Sequence, residues 1–146
     1  MTSIDRILRN KGTEVVSVAP DDDAMSVVQT LAQHRIGAVL VRDEAGTVLG
    51  IVSERDLVRA MAERGAETVR LKATELMTRV LHTVTPETRV TEALAMVTGR
   101  RVRHLPVLMP DGALGGMVSI GDLVKARIAE AEQEADDLRV YVATAG

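Results

Sequence analysis

Gly50-Ile51-Val52-Ser53-Glu54-Arg55-Asp56-Leu57-Val58 returns 66 residues later as Gly116-Met117-Val118-Ser119-Ile120-Gly121-Asp122-Leu123-Val124. The match spreads outward from this stretch without a gap. Residues 15–58 laid on 81–124 agree at 11 of 44 positions, among them Val18/Val84, Pro20/Pro86, Arg35/Arg101, Val41/Val107 and Gly46/Gly112. A repeat of this period means that one supersecondary unit has been used twice. Each copy is about 60 residues, a size at which a lone core is marginal, so the copies are expected to bury their apolar faces together and to fold as one event. The division this suggests is 1–70, a first copy with an N-terminal helix, and 71–146, a second copy with a C-terminal helix and tail.

Within each copy the apolar spacing gives the elements. Ile4, Ile7 and Leu8 share one face of a short leading helix that Asn10-Lys11-Gly12 ends, glycine supplying a left-handed cap. Val15–Val18 reads as a strand. Pro20 with Asp21-Asp22-Asp23 then starts a helix whose core stripe is Ala24, Val27, Val28 and Leu31. The second copy repeats this with Leu81–Val84, Pro86-Glu87-Thr88 and the stripe Val90, Ala93, Leu94, Val97. A hairpin follows in each: Gly37–Val41 and Val48–Val52 about the Asp43–Gly46 turn, then His104–Leu108 and Leu114–Val118 about Pro110-Asp111-Gly112. Ser53 and Ser119 start a last helix, through Leu57, Val58, Ala60 and Met61 or through Leu123, Val124 and Ile128. The unit is strand, helix, strand, strand, helix, an α+β fold. Residues 63–76 read as a polar connector and 129–139 as an Ala/Glu-rich helical extension before a short tail, neither with evident chemistry.

Composition narrows the function classes. Of 146 residues 46% are apolar, enough for one compact domain or two small halves sharing a core. There is no cysteine, which removes disulfides, thiolate metal sites and a cysteine nucleophile and fits a reducing, cytoplasmic location. No apolar leader opens the chain and no run reaches the roughly 18 apolar residues of a membrane span. A net charge of −3 and a single aromatic, Tyr141, offer nucleic acid neither bulk attraction nor a stacking platform. A purine bound here would lie between aliphatic walls.

A duplicated strand-helix-strand-strand-helix unit closing on Gly-apolar-apolar-Ser-x-x-Asp resembles the cystathionine-beta-synthase (CBS) domain, in the tandem form called a Bateman module. Met77-Thr78, Val102-Arg103-His104-Leu105-Pro106-Val107 and Gly116-Met117-Val118-Ser119 carry the likeness, which covers nearly the whole chain. It implies two pseudo-symmetric repeats packed through their sheets, with clefts between them that bind regulatory adenosine ligands: AMP, ADP, ATP, S-adenosylmethionine or dinucleotides. It implies a sensor without a required cofactor, often a homodimer.

The residues give that expectation a physical form. Ser53 and Ser119 stand where a strand turns into a helix, so their hydroxyls and the amides there can meet a phosphate. Three residues on, a carboxylate can accept both hydrogen bonds of a ribose 2′,3′-diol, the role the resemblance assigns to Asp56 and Asp122. The competing reading is that both serines are plain helix caps. The resemblance puts Val16, Gly37 and Ala38 around one base and His82, Arg103 and His104 around the other, with Val52, Met117 and Val118 on the strands leading to the serines. Arg103 and His104, with Arg55 from the other side, are phosphate candidates, while Arg100 and Arg101 read as helix-end cations.

The copies differ, since Gly121 replaces Arg55 and Gly37-Ala38 replaces Arg103-His104, so one site is open to being silent. His34, His82 and His104 lack metal-ligand spacing, and neither serine has a nucleophile-elbow pattern or an acid-base partner. The expectation is a nucleotide-sensing binding module that acts on a separate effector protein. Its alternative is a structural dimerisation unit with one or both clefts empty.

Overall fold

In chain order the elements are α1 (Ile4–Lys11), β1 (Ser17–Val18), α2 (Ala24–His34), β2 (Ala38–Arg42), β3 (Val48–Ser53), α3 (Glu54–Arg64), a 3₁₀ turn (Gly65–Arg70), α4 (Ala73–Leu76), α5 (Val90–Arg100), β4 (His104–Leu108), β5 (Leu114–Ser119) and α6 (Ile120–Ala145). The computed structural model describes residues 2–79 and 81–145. The chain forms two units, one made of Val15–Leu81 and the other joining Met1–Glu14 to His82–Gly146. The α+β architecture of two like repeats is as the sequence indicates.

In the continuous unit β1 runs parallel to β2, and β2 pairs antiparallel with β3 in the register Ala38↔Ser53, Val39↔Val52, Leu40↔Ile51. β2 is buried from Ala38 to Val41, as its unbroken apolar run requires. Asp23 caps α2 by accepting from the Ser26 amide at 2.8 Å, which holds its carboxyl below the usual carboxylate range. α2 buries Ala24, Val27 and Leu31, whereas Val28, expected on the same stripe, lies on its flank and is 42% exposed.

The segment 63–76, read as a polar connector, carries structure, since Ala73 and Leu76 of α4 enter the core; just beyond it Thr78 bridges the outer side of β3 through reciprocal bonds with Ile51 (2.8 and 3.0 Å). Gly50 makes room for this closure, because a Cβ there would stand 2.7 Å from the Thr78 carbonyl oxygen.

In the discontinuous unit β4 and β5 form the hairpin, with His104↔Ser119 and Leu105↔Val118. The first strand, expected over Leu81–Val84, is a single parallel bridge from Val84 to Val107. In the first copy the Leu40 amide donates to the Val16 carbonyl at 3.2 Å; its counterpart is Pro106, which has no N–H, so the ladder stops.

The N-terminal helix, assigned to the first copy by the 1–70/71–146 division, belongs here instead. Ile4, Ile7 and Leu8 are buried with Val84, Val90, Ala93, Val97, Leu105, Val107, Val118 and Leu123. The Ile4 and Asp5 amides donate to the Thr88 and Pro86 carbonyls, both at 2.9 Å, and the Val90 amide returns to Thr2. Three apolar side chains on so short a helix need a core to enter, and these bonds fix which one. Gly12 ends α1 at φ 99°, ψ 169°, outside the left-handed helical region expected.

α6 is one helix of 26 residues where an extension and a tail were expected. Its counterpart α3 stops at Gly65, at φ 59°. The residue in register with Gly65 is Ala131, the strongest helix former, and there the helix continues.

Candidate functional site

Each unit holds one Ser-x-x-Asp turn at the end of its hairpin. In the first, Ser53 closes β3 and caps α3, and Asp56 completes a capping box. Asp56 Oδ2 accepts from the Ser53 amide (2.8 Å) and hydroxyl (3.0 Å), and Oδ1 accepts from the Thr78 hydroxyl at 3.1 Å. The Arg59 guanidinium stands 3.5 Å from the same oxygen. The carboxylate is 8% exposed, with three short bonds engaging most of its roughly four acceptor positions.

In the second turn Asp122 Oδ2 accepts from the Ser119 amide at 2.8 Å, and the Asp122 amide donates to Ser119 Oγ at 3.1 Å. The remaining partner comes from α1: Lys11 Nζ donates to Asp122 Oδ2 at 2.6 Å and to the Met117 carbonyl at 2.9 Å. Burial pulls the Asp122 carboxyl upward, but the Lys11 hydrogen bond, the Ser119 amide and the lysine charge outweigh it, so it titrates below the ordinary value. With its side chain 26% exposed, Asp122 is the more open of the two.

The helix-cap reading of both serines is therefore realised, and a diol contact would add to it. The amides expected to meet a phosphate are partly committed: the Glu54 amide donates to the Gly37 carbonyl at 3.0 Å, and the Ile120 amide to the Arg103 carbonyl at 2.8 Å. These two bonds tie the residue before each hairpin to the start of its last helix. Gly37, Ala38, Ser53, Arg55 and Asp56 are thus gathered in one unit, and Arg103, His104, Ser119 and Asp122 in the other.

Arg55 and Arg103 are exposed, and His104 is half-buried opposite Ser119. Val16 is half-buried beside β2, His82 is half-buried outside any strand, and Met117 is half-buried opposite Pro106. Ala38, Val52 and Val118 are sealed in the cores, leaving only their backbone to a ligand.

Two contributors were missed by the sequence reading as site residues, Lys11 and Thr78. Extended upstream of residue 15, the same offset sets Lys11-Gly12 against Met77-Thr78 without an identity at either position, and only the structure shows that each pair reaches an aspartate of the motif. Among the described residues no group of three His, Asp or Glu could hold a metal ion, and no helix is long and apolar enough to cross a membrane.

The CBS domain model matches residues 11–63 and 73–129. A CBS domain-containing protein of Arabidopsis thaliana, CBSX3, described as mitochondrial, is 35% identical over 149 residues, covering 97% of this chain and 72% of its own. The crystal structure of the CBS-domain containing protein ATU1752 from Agrobacterium tumefaciens has a TM-score of 0.83 at 41% identity, over 87% of this chain and 99% of that one. PAE2072 from Pyrobaculum aerophilum, a CBS domain protein solved in complex with AMP, has a TM-score of 0.72 at 25% identity, over 83% and 89% of the two chains.

Proposed function

The chain belongs to the CBS-domain family, in two copies, and from that premise we propose that it is a regulatory module sensing an adenosine ligand, an AMP, ADP, ATP or S-adenosylmethionine type of molecule, rather than a catalyst. The observation that carries the reading is the retention, in both units, of a Ser-x-x-Asp turn whose carboxylate is held by its own serine, at the mouth of a strand-to-helix junction. The AMP complex of PAE2072 supports the ligand class.

In this reading the ribose diol bonds to Asp56 or Asp122. Backbone groups at Val16, Gly37 and Ala38, or at His82, Arg103 and His104, read the adenine edge. Arg55 or Arg103 meets the phosphate as a planar donor. In the second copy the ribose shares Asp122 with Lys11, so occupancy is felt by α1. Occupancy then biases the packing of this protein with a second copy or with a separate effector. A cytoplasmic location remains part of the proposal; the plant relative's name says mitochondrial.

The test is a thermal-shift and calorimetric series with AMP, ADP, ATP and S-adenosylmethionine on the wild type and on Asp56→Ala and Asp122→Ala. One adenosine ligand is expected to stabilise the wild type by about 2.7 kcal/mol per site at a hundredfold excess over its dissociation constant. One of the variants is expected to abolish the effect and so identify the working copy. If ligand-free, folded protein responds to none of them, the structural dimerisation unit takes its place, a reading that the internal satisfaction of Asp56 favours.

A further inference from the structure

The distal half of α6 carries a second pattern, independent of the nucleotide reading and mostly beyond the last residue matched by the family model, 129. Val124, Ile128, Ala131, Ala135, Leu138, Val142 and Ala145 follow one another at alternating intervals of four and three. At about 100° per residue such a spacing keeps all seven on one stripe. The helix docks on its own unit by another face, with Leu123 buried and Ala126 packed against the core. The stripe is left open: Val124 is 44% exposed, Ile128 55%, and Leu138 and Val142 62% each.

From this stripe and the charges that flank it, we propose that α6 pairs with α6 of a second copy as a parallel, in-register, two-stranded coiled coil. Ile128, Ala135 and Val142 take the a positions, and Val124, Ala131, Leu138 and Ala145 the d positions; β-branched Ile128 and Val142 at a, with Leu138 at d, favour two parallel strands. In a parallel pair each g position faces the e position of the next heptad across the interface. Arg127 then faces Glu132 of the second copy, and Glu134 faces its Arg139, both attractive. The fully overlapped antiparallel alternative sets Glu132 against Glu132, Glu134 against Glu134 and Lys125 against Arg139, all repulsive. Within one chain Arg127 lies 3.9 and 3.8 Å from Glu130 and Glu134, and Arg139 lies 3.1 Å from Asp136. Glu134 and the Arg139–Asp136 pair are exposed, and contacts of that kind are weak enough to be exchanged across an interface, whereas Arg127 is half-buried beside Glu130 and reaches the seam from the edge of the docked face.

The chain has no cysteine, so a single introduced thiol reports one position. Full-length Leu138→Cys, oxidised under mild conditions, is expected to convert to a covalent dimer, while Val140→Cys, on the outward face, stays monomeric on a denaturing gel. Glu132→Arg in the Leu138→Cys background is expected to slow the conversion, and adding Arg127→Glu to restore it. Each variant is first shown by circular dichroism to keep the wild-type fold. In the antiparallel arrangement the two 138 positions stand about 15 Å apart, too far for a disulfide. A folded Leu138→Cys that does not crosslink, or one that crosslinks no faster than Val140→Cys, overturns the proposal. So does efficient crosslinking between Ile128→Cys and Leu138→Cys chains with none between Leu138→Cys chains.

Discussion

The 2.6 Å contact between Lys11 and Asp122 joins residues 111 apart in sequence, and no local pattern announces it. The serine-aspartate pairs were legible because three residues along a helix start bring a carboxylate back to its own cap. Lys11 was not, since its role rests on where α1 docks. The pair has a measurable signature. Asp122 has its folded value lowered, so the stability it contributes is fully present above the unfolded carboxylate range near about 4 and is lost as pH falls through the lower folded value. Lys11→Met and Asp122→Asn are each expected to flatten the loss of denaturation midpoint between neutral and acidic pH, while leaving the slope at neutral pH unchanged.

Other identities between the copies mark backbone requirements. Gly46 and Gly112 both have φ 84°, and Arg35 and Arg101 sit at φ 54° and 56° where α2 and α5 end. A left-handed residue at a helix end closes the last turn, and the arginine also brings a cation to the negative pole, as anticipated for Arg101.

At the scale of elements, hairpins and helices could be read from periodicity, whereas element lengths hung on single residues. Pro106 shortens the first strand of the second copy to one bridge, and Ala131 in place of Gly65 prolongs α6. Both were visible as letters. What they do depends on a neighbouring strand that needs an N–H, or on a helix with no other reason to stop. α1 and α4 are counterparts too, each preceding one copy while packing on the last strand of the other: Leu8 lies against Gly116 as Met77 and Thr78 lie against Gly50. Because Leu8 fills that place, Leu8→Ala is expected to cost about 2–5 kcal/mol, read as a lowered urea midpoint at unchanged m-value. The same substitution at exposed Val140 should leave the midpoint within about 0.5 kcal/mol of wild type.

For the molecule as a whole, the repeat indicated two like units but drew the border at residue 70. The structure draws it twice, at Glu14 and at Leu81, because an amphipathic helix goes to whichever core has room for it, a property of the folded neighbour that linear order does not encode. A fragment of residues 82–146 lacks Ile4, Ile7 and Leu8 and is expected to show little cooperative unfolding by circular dichroism. The same fragment with residues 1–14 joined ahead of it through a flexible linker should regain a sigmoidal melt.

The discontinuity also sets an order of events during synthesis. α1 leaves the ribosome ahead of the elements that bury it, and Val118 and Leu123, among those side chains, are made more than a hundred residues later. At about 5–20 residues per second of synthesis that is a wait of roughly 5–20 seconds. Throughout it the apolar face of α1 stays bare on the nascent chain, within reach of a chaperone and the last part of its unit to find shelter.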